Sequence, residues 1–398
     1  LLDADTSYFV ALPLRRYRQR RRQGQNGVRR GLKVCTALMV LASNIAGASS
    51  PTGVFVSAGP LFSSDASLTS APIASGSAFV AGAWTGAVFA SDGTWQPAIP
   101  FQASRYGGTA QRLQDGRIAI IGTASTNATV PAEVVDPVLG TTVSSGPMLV
   151  KRYGSVAIPR PDGKLLVWGG FQSGTSWPPL SQAEVFDPAS ATFASGGTAL
   201  PGRWNAALTL LADGRYLLTG GSTADQVIQQ IAAVYNPATN TTAPTGAMAK
   251  LRTTHSAVLL DDGRVLIFGG LTYVSGSQDV ADSAEVYTPS SNTFATVPHM
   301  VQHRMLHVAS LLPDGQVLIV GGIGQYGQYI ANAEIFDPNT NAFTALPPML
   351  HPRKSATAVS LGGGRVLIAG GSDAQGTVEE SEIFEYDHIL ADSFEPTH

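Results

Sequence analysis

The stretch DDGRVLIFGG, residues 261–270, decides the fold. Asp262-Gly263 is a hairpin signal, and a two-residue turn with positive φ at both positions is the expected form. Val265 to Phe268 is a continuous apolar run, suited to a strand buried on both faces between stacked sheets. Gly269-Gly270 ends that run where the backbone needs an unusual φ or comes close to a neighbour. Working outward, His255 to Leu260 is a half-apolar first strand. Ala284-Glu-Val-Tyr-Thr-Pro289 is a third strand, stopped by a proline that cannot donate to the ladder. An Asn/Ser/Thr turn then leads to a fourth, outer strand at Phe294. One unit reads as four strands.

The unit recurs as PDGKLLVWGG (161–170), ADGRYLLTGG (212–221), PDGQVLIVGG (313–322) and GGGRVLIAGG (362–371), with QDGRIAIIGT (114–123) and the degenerate ASGSAFVAGA (74–83). Its turn glycine falls at Gly76, Gly116, Gly163, Gly214, Gly263, Gly315 and Gly364, a mean period of 48 residues. Another glycine follows each of them by six positions. A period near 50 signals a propeller or solenoid. Composition agrees: 13% of residues are charged and 43 of 398 are glycine, a turn-rich, charge-poor pattern that excludes helical bundles, coiled coils and disorder.

An apolar run, Gly-Gly, then an aromatic followed seven positions later by another (Phe186/Phe193, Tyr287/Phe294, Phe336/Phe343) resembles the kelch repeat. The last position holds Phe, or Thr242 in one unit, where that family usually has Trp. The resemblance spans roughly residues 51–387 and implies an all-β, seven-bladed β-propeller of four-stranded blades around a central channel. The last unit lacks a fourth strand, and Val56-Ser-Ala-Gly-Pro-Leu61 matches Val143-Ser-Ser-Gly-Pro-Met148. The N-terminal strand is therefore expected to complete the last blade and remove an exposed edge. Six blades is the alternative, because the first unit is poor in motif residues.

Residues 1–48 differ from the rest. Nine basic residues (Arg15, Arg16, Arg18, Arg20, Arg21, Arg22, Arg29, Arg30, Lys33), an apolar stretch from Val34 to Ala42 and Ala46-Gly47-Ala48 follow the order of a secretory signal peptide. Arg29-Arg30 leaves twin-arginine export open as an alternative. An exported, periplasmic or extracellular chain is expected, with the propeller over 49–390, a short acidic tail over 391–398 and no membrane insertion. Taking the nine basic and two acidic residues of 1–48 from 25 and 28 leaves 16 and 26, a net charge of −10 that disfavours nucleic acid. The sole cysteine, Cys35, lies in the leader, so no disulfide framework or cysteine-based zinc site is expected.

Eleven residues before the turn glycine stands an arginine in six units: Arg105, Arg152, Arg203, Arg252, Arg304 and Arg353. Aromatics or histidines follow them: Tyr106, Tyr153, Trp204, His255 and His307. A second basic set, Arg117, Lys164, Arg215, Arg264 and Arg365, lies one residue after the turn glycine and should sit on the opposite face. In kelch propellers the first position often lines the ligand-binding mouth, and the resemblance carries that role to these eleven residues. Guanidinium forks beside aromatics suit carboxylates, acidic sugars or an acidic peptide loop. The competing reading pairs each arginine with a third-strand glutamate: Glu133, Glu184, Glu285, Glu334 or Glu382. His255 and His307 fit inner-strand packing better than a metal site, since no third ligand supports them.

No catalytic constellation emerges, and neither a metal nor a cofactor is expected. Copper-radical chemistry of the galactose oxidase kind, which needs a Cys–Tyr thioether, is excluded for a mature chain without cysteine. The sequence is read as a monomeric, non-enzymatic propeller binding an anionic protein or glycan at the channel-mouth face, with the 2–3 connections carrying Tyr273, Gly276, Tyr326 and Tyr329 as specificity loops. The alternatives are a sugar-modifying enzyme of the N-acetylneuraminate epimerase type and a structural module of a surface assembly.

Overall fold

The computed structural model describes residues 53–386 apart from 62, 64–67, 74–75, 106–107, 123–130, 172–178, 198–199 and 275. The chain divides into Leu1–Ala48 and Ser49–His398. The expected leader and the acidic tail lie outside the described residues, as does Tyr106.

Among the described residues all regular structure is strand, and no helix is present to cross a membrane. Seven four-stranded antiparallel sheets follow one another as the blades of a β-propeller. Each runs from an innermost to an outermost strand. Blade 5 is representative: Ser256–Leu259, Val265–Phe268, Ala284–Thr288 and Thr293–Val297. The innermost strands of blades 1 to 4 are Thr69–Pro72, Thr109–Arg112, Tyr153–Pro159 and Ala207–Leu210. Those of blades 6 and 7 are Val308–Leu311 and Thr357–Gly362. The second strands are buried throughout, as their unbroken apolar runs require: Val265, Leu266, Ile267 and Phe268 are each fully enclosed.

Seven apolar clusters hold the blades together, and each straddles one junction. Leu266 and Phe268 of blade 5 meet Val317, Ile319 and Phe336 of blade 6. Val80 and Phe89 of blade 1 meet Leu367 and Ile383 of blade 7, so the ring is closed. The seven-residue aromatic spacing is a cross-strand pair: Phe336 lies opposite Phe343 with ring centroids 4.8 Å apart.

The last blade closes as expected. Gly53–Pro60 pairs antiparallel with Glu380–Tyr386 as the outermost strand, with Phe55 opposite Phe384. A bulge at Ser57/Gly59 bends this strand, and the Ser381 hydroxyl donates to the Gly59 carbonyl at 2.6 Å.

The hairpin corrects one expectation. Only the glycine of Asp262-Gly263 has positive φ, at 82°. Gly263 N–H donates to the Leu260 carbonyl, and Leu260 N–H donates to the Arg264 carbonyl. That is a three-residue loop, a type I turn closed by a left-handed glycine. The Asp262 carboxylate explains the choice. It accepts the Arg264 N–H at 2.9 Å, and this local Asx turn favours the ordinary right-handed conformation at the aspartate.

Candidate functional site

Strand polarity places the 4–1 and 2–3 connections on one face of the ring and the Asp-Gly hairpins on the other. The second basic set lies on the hairpin face and pairs locally, as in Arg264–Asp262 at 2.6 Å and Arg215–Asp213 at 2.6 Å. The first set belongs to the 4–1 connections, but its guanidinium groups turn into the blades. Arg105, Arg152, Arg252, Arg304 and Arg353 are at most 3% exposed. Each is paired with its own blade's glutamate: Glu133, Glu184 (3.0 Å), Glu285 (2.8 Å), Glu334 (2.8 Å) and Glu382 (2.6 Å).

The geometry explains why both residue types recur. Arg252 Nη1 donates to the Gly269 carbonyl at 3.1 Å, capping the end of the second strand. Glu285, on the third strand, accepts from Arg252 and from the backbone N–H groups of Ala249 and Lys250. The connection arriving from the previous blade is thereby clipped onto the second and third strands beneath it. Burial lowers the Arg252 guanidinium pKa while Glu285 opposes that shift. The structure shows these five arginines buried and paired, and the pairing offsets the desolvation penalty that an unpaired charge would carry.

Arg203 is the exception. Its third strand carries Ala233 where blades 2, 3, 5, 6 and 7 carry glutamate. Its connection, Leu200-Pro-Gly-Arg203, is one residue shorter and contains Pro201, which has no N–H to donate. Arg203 donates through Nη1 to the carbonyls of Gly220 (2.9 Å) and Ile231 (2.8 Å). Burial lowers its pKa with no carboxylate opposing.

His255 and His307 are buried between blades. A Cβ at Gly220 would lie 2.7 Å from His255 Cε1, and one at Gly269 would lie 2.7 Å from His307 Cε1, so each imidazole fills the space its glycine leaves. His255 Nε2 shares a 2.9 Å hydrogen bond with the Thr219 hydroxyl. Burial, with Arg252 adding to it, pushes the His255 pKa down to about 3, and His307 is held well below its usual value. Trp204 is partly buried, and the side chain of Tyr153 lies outside the described residues.

A pH dependence follows. The unfolded chain protonates each imidazole near pH 6.5, whereas the folded chain keeps His255 neutral to about pH 3. The stabilisation is therefore complete above about pH 6.5 and lost as pH falls below it. Stability from denaturant titrations is expected to drop by about 1.4 kcal/mol per pH unit for each histidine below about pH 6. His255→Gln should remove one histidine's share of that slope; an unchanged slope would contradict the assignment.

The exposed groups of the connection face lie elsewhere. Trp84, Tyr273 and Tyr326, on the 2–3 connections of blades 1, 5 and 6, are 59%, 39% and 87% exposed. In blade 5 the connection forms an extra hairpin, Leu271–Val274 with Ser277–Val280, and Tyr273 lies on its first strand. Tyr329 stacks under Lys354 Nζ at 5.7 Å. A cleft of about 560 Å³ separates Leu149, Val150 and Lys151 from Pro179, Leu180, Ser181 and Gln182 on the same face. Trp84 was not singled out by sequence reasoning, since its unit is the degenerate one. Its place in the 2–3 connection, directly before the third strand, is the signal that could have found it.

The sequence matches the Kelch motif over residues 304–350. That stretch begins at the Arg304 clip and runs through blade 6. No curated protein matches the chain in sequence. Among solved structures, a novel fungal alcohol oxidase with catalytic diversity among the AA5 family, in complex with copper, is similar at 20% identity and a TM-score of 0.70. That match covers 87% of this chain and 78% of the oxidase. A protein described as YjhT is similar at 14% identity and a TM-score of 0.57, over 72% of this chain and 98% of that one. At these identities the likeness carries the fold alone. The chain is a seven-bladed β-propeller whose sixth blade carries the Kelch motif. Among its described residues no three His, Cys, Asp or Glu side chains converge on a point where they could hold a metal.

Proposed function

We propose that this chain is an exported, non-enzymatic propeller that binds a protein or glycan through its connection face. The observation that carries the reading is the set of exposed aromatic side chains Trp84, Tyr273 and Tyr326 on that face. Aromatic rings combine a large apolar area with few rotatable bonds, which suits both sugar stacking and protein hot spots. Connections built on a rigid scaffold are where binding residues concentrate. The basic and apolar segments of residues 1–48 support export.

The test is a glycan array and a purified surface-protein panel probed with the wild type and the Trp84→Ala/Tyr273→Ala/Tyr326→Ala variant. Loss of about tenfold or more in affinity is expected, since one such anchor is worth more than 1 kcal/mol. The melting temperature should not change. A ligand bound equally well by both proteins would remove the reading. Export is tested by the N-terminal sequence of the mature protein, expected to begin directly after Ala48.

A further inference from the structure

The ring is not equally tight at every junction. Elsewhere, successive innermost strands pack side by side; Tyr153–Pro159 of blade 3 and Ala207–Leu210 of blade 4 do so least. From blade 4 to blade 7 a chain of backbone hydrogen bonds links the channel mouth: Thr254 N–H to Asn205 O, Leu306 N–H to Thr254 O, and Ser355 N–H to Leu306 O. The donors and acceptors are the residues two past each arginine, all held at positive φ. No such bond joins Asn205 to Gly154.

A second set of bonds shows the same break. Gly221, Gly270 and Gly322 each donate to the carbonyl of the next blade's arginine, at 2.8–2.9 Å. Gly170 makes no such bond to Arg203. A Cβ on Gly220, Gly269 or Gly321 would come within 2.3–2.6 Å of that carbonyl, but one on Gly169 would stand 3.9 Å from it. Blade 4 has Ala206 at the position where His255 and His307 fill this groove in blades 5 and 6.

What remains is a cavity of about 190 Å³ lined by Gly154, Val156, Trp168, Gly169, Arg203, Asn205 and neighbouring backbone. Trp168 is 2% exposed, and its indole N–H is buried without an acceptor. Arg203 makes no hydrogen bond beyond the two through Nη1, and no carboxylate among the described residues reaches it. The arginine without a glutamate is thus the arginine beside the loosened junction. An anion beside a largely buried cation offsets part of its desolvation cost, and Arg203, 7% exposed, has none among the described residues. The five other blades show which kind: a carboxylate.

We propose that the cavity between blades 3 and 4 binds a small carboxylate-bearing molecule, whose carboxylate takes at Arg203 the part that glutamate plays in the other blades. Asn205 and the Trp168 indole supply the remaining polar contacts. The size of the cavity limits the enclosed part to a small acid or the carboxylate end of a sugar acid. The site is separate from the exposed aromatics of the connection face and stands independently of the binding reading above.

Thermal unfolding of the full chain in acetate and in glucuronate, against equal concentrations of chloride and of glucose, tests it. A saturable rise of about 2–4 °C with at least one carboxylate and none with the controls is expected, as for a ligand well above its Kd. A response to glucuronate alone would identify a sugar acid; a response to both, a simple carboxylate site. Arg203→Met, which keeps the apolar stem, should lose the response, and so should Ala233→Glu, which supplies an internal carboxylate. The Trp84→Ala/Tyr273→Ala/Tyr326→Ala variant should retain it, so failure of either proposal can be told from failure of the other. No response in the wild type, or an equal response in Arg203→Met, overturns the proposal.

Discussion

Glu285→Ala is expected to destabilise the propeller by about 3–5 kcal/mol, because it strands a buried guanidinium. Arg252 is fully enclosed, and its Nη2 and Nε both rely on Glu285. The same substitution also orphans the N–H groups of Ala249 and Lys250. The double variant Arg252→Met/Glu285→Leu removes both charges and should lose much less, since a buried pair replaced by apolar groups is often near neutral. Urea titration of the three proteins measures this directly. A Glu285→Ala protein within about 1 kcal/mol of the wild type would show that the clip is not a structural element.

Breaking the clasp should have an effect of similar size. Phe55 is 8% exposed, packs against Phe384 with centroids 5.1 Å apart, and belongs to the cluster joining blades 6 and 7. Phe55→Ala is expected to cost about 3–4 kcal/mol through lost burial and the cavity left behind. Deleting residues through Pro60 goes further, because it bares the edge of Glu380–Tyr386 along its whole length. An unpaired edge of that kind templates association, so the truncated chain should elute as oligomers in size-exclusion chromatography. A truncated protein that stayed monomeric with an unchanged melting temperature would mean that blade 7 does not need its borrowed strand.

Much of the architecture could be read from residues because its signals are local and repeated. The Asp-Gly hairpin, the enclosed run Val265–Phe268 and the proline after Thr288 each act within a few residues. Seven repetitions turned weak cues into a firm register. The closing strand was legible for the same reason, since Val56 to Leu61 repeats Val143 to Met148. The turn was misread because Asp-Gly has two solutions, and the Asp262 carboxylate, through its bond to Arg264 N–H, selects the three-residue one.

The candidate site was harder to read. A column of six arginines looks the same in sequence whether it lines a mouth or holds blades together, and the glutamates that distinguish the two lie about thirty residues away. The one departure, Ala233 facing Arg203, was present in the sequence. Its meaning depends on a carboxylate's absence beside a buried charge, which only burial reveals.

By itself, then, the sequence determined the repeat, the strand order within each blade and the closing partner, and favoured seven blades over six, since hydrogen-bonding periodicity and turn chemistry act over short distances. Tertiary structure alone decided which arginines are sealed, which aromatics reach solvent and which junction fails to close. Those outcomes depend on how side chains from separate blades share one volume, and neither spacing nor composition along a chain encodes that sharing.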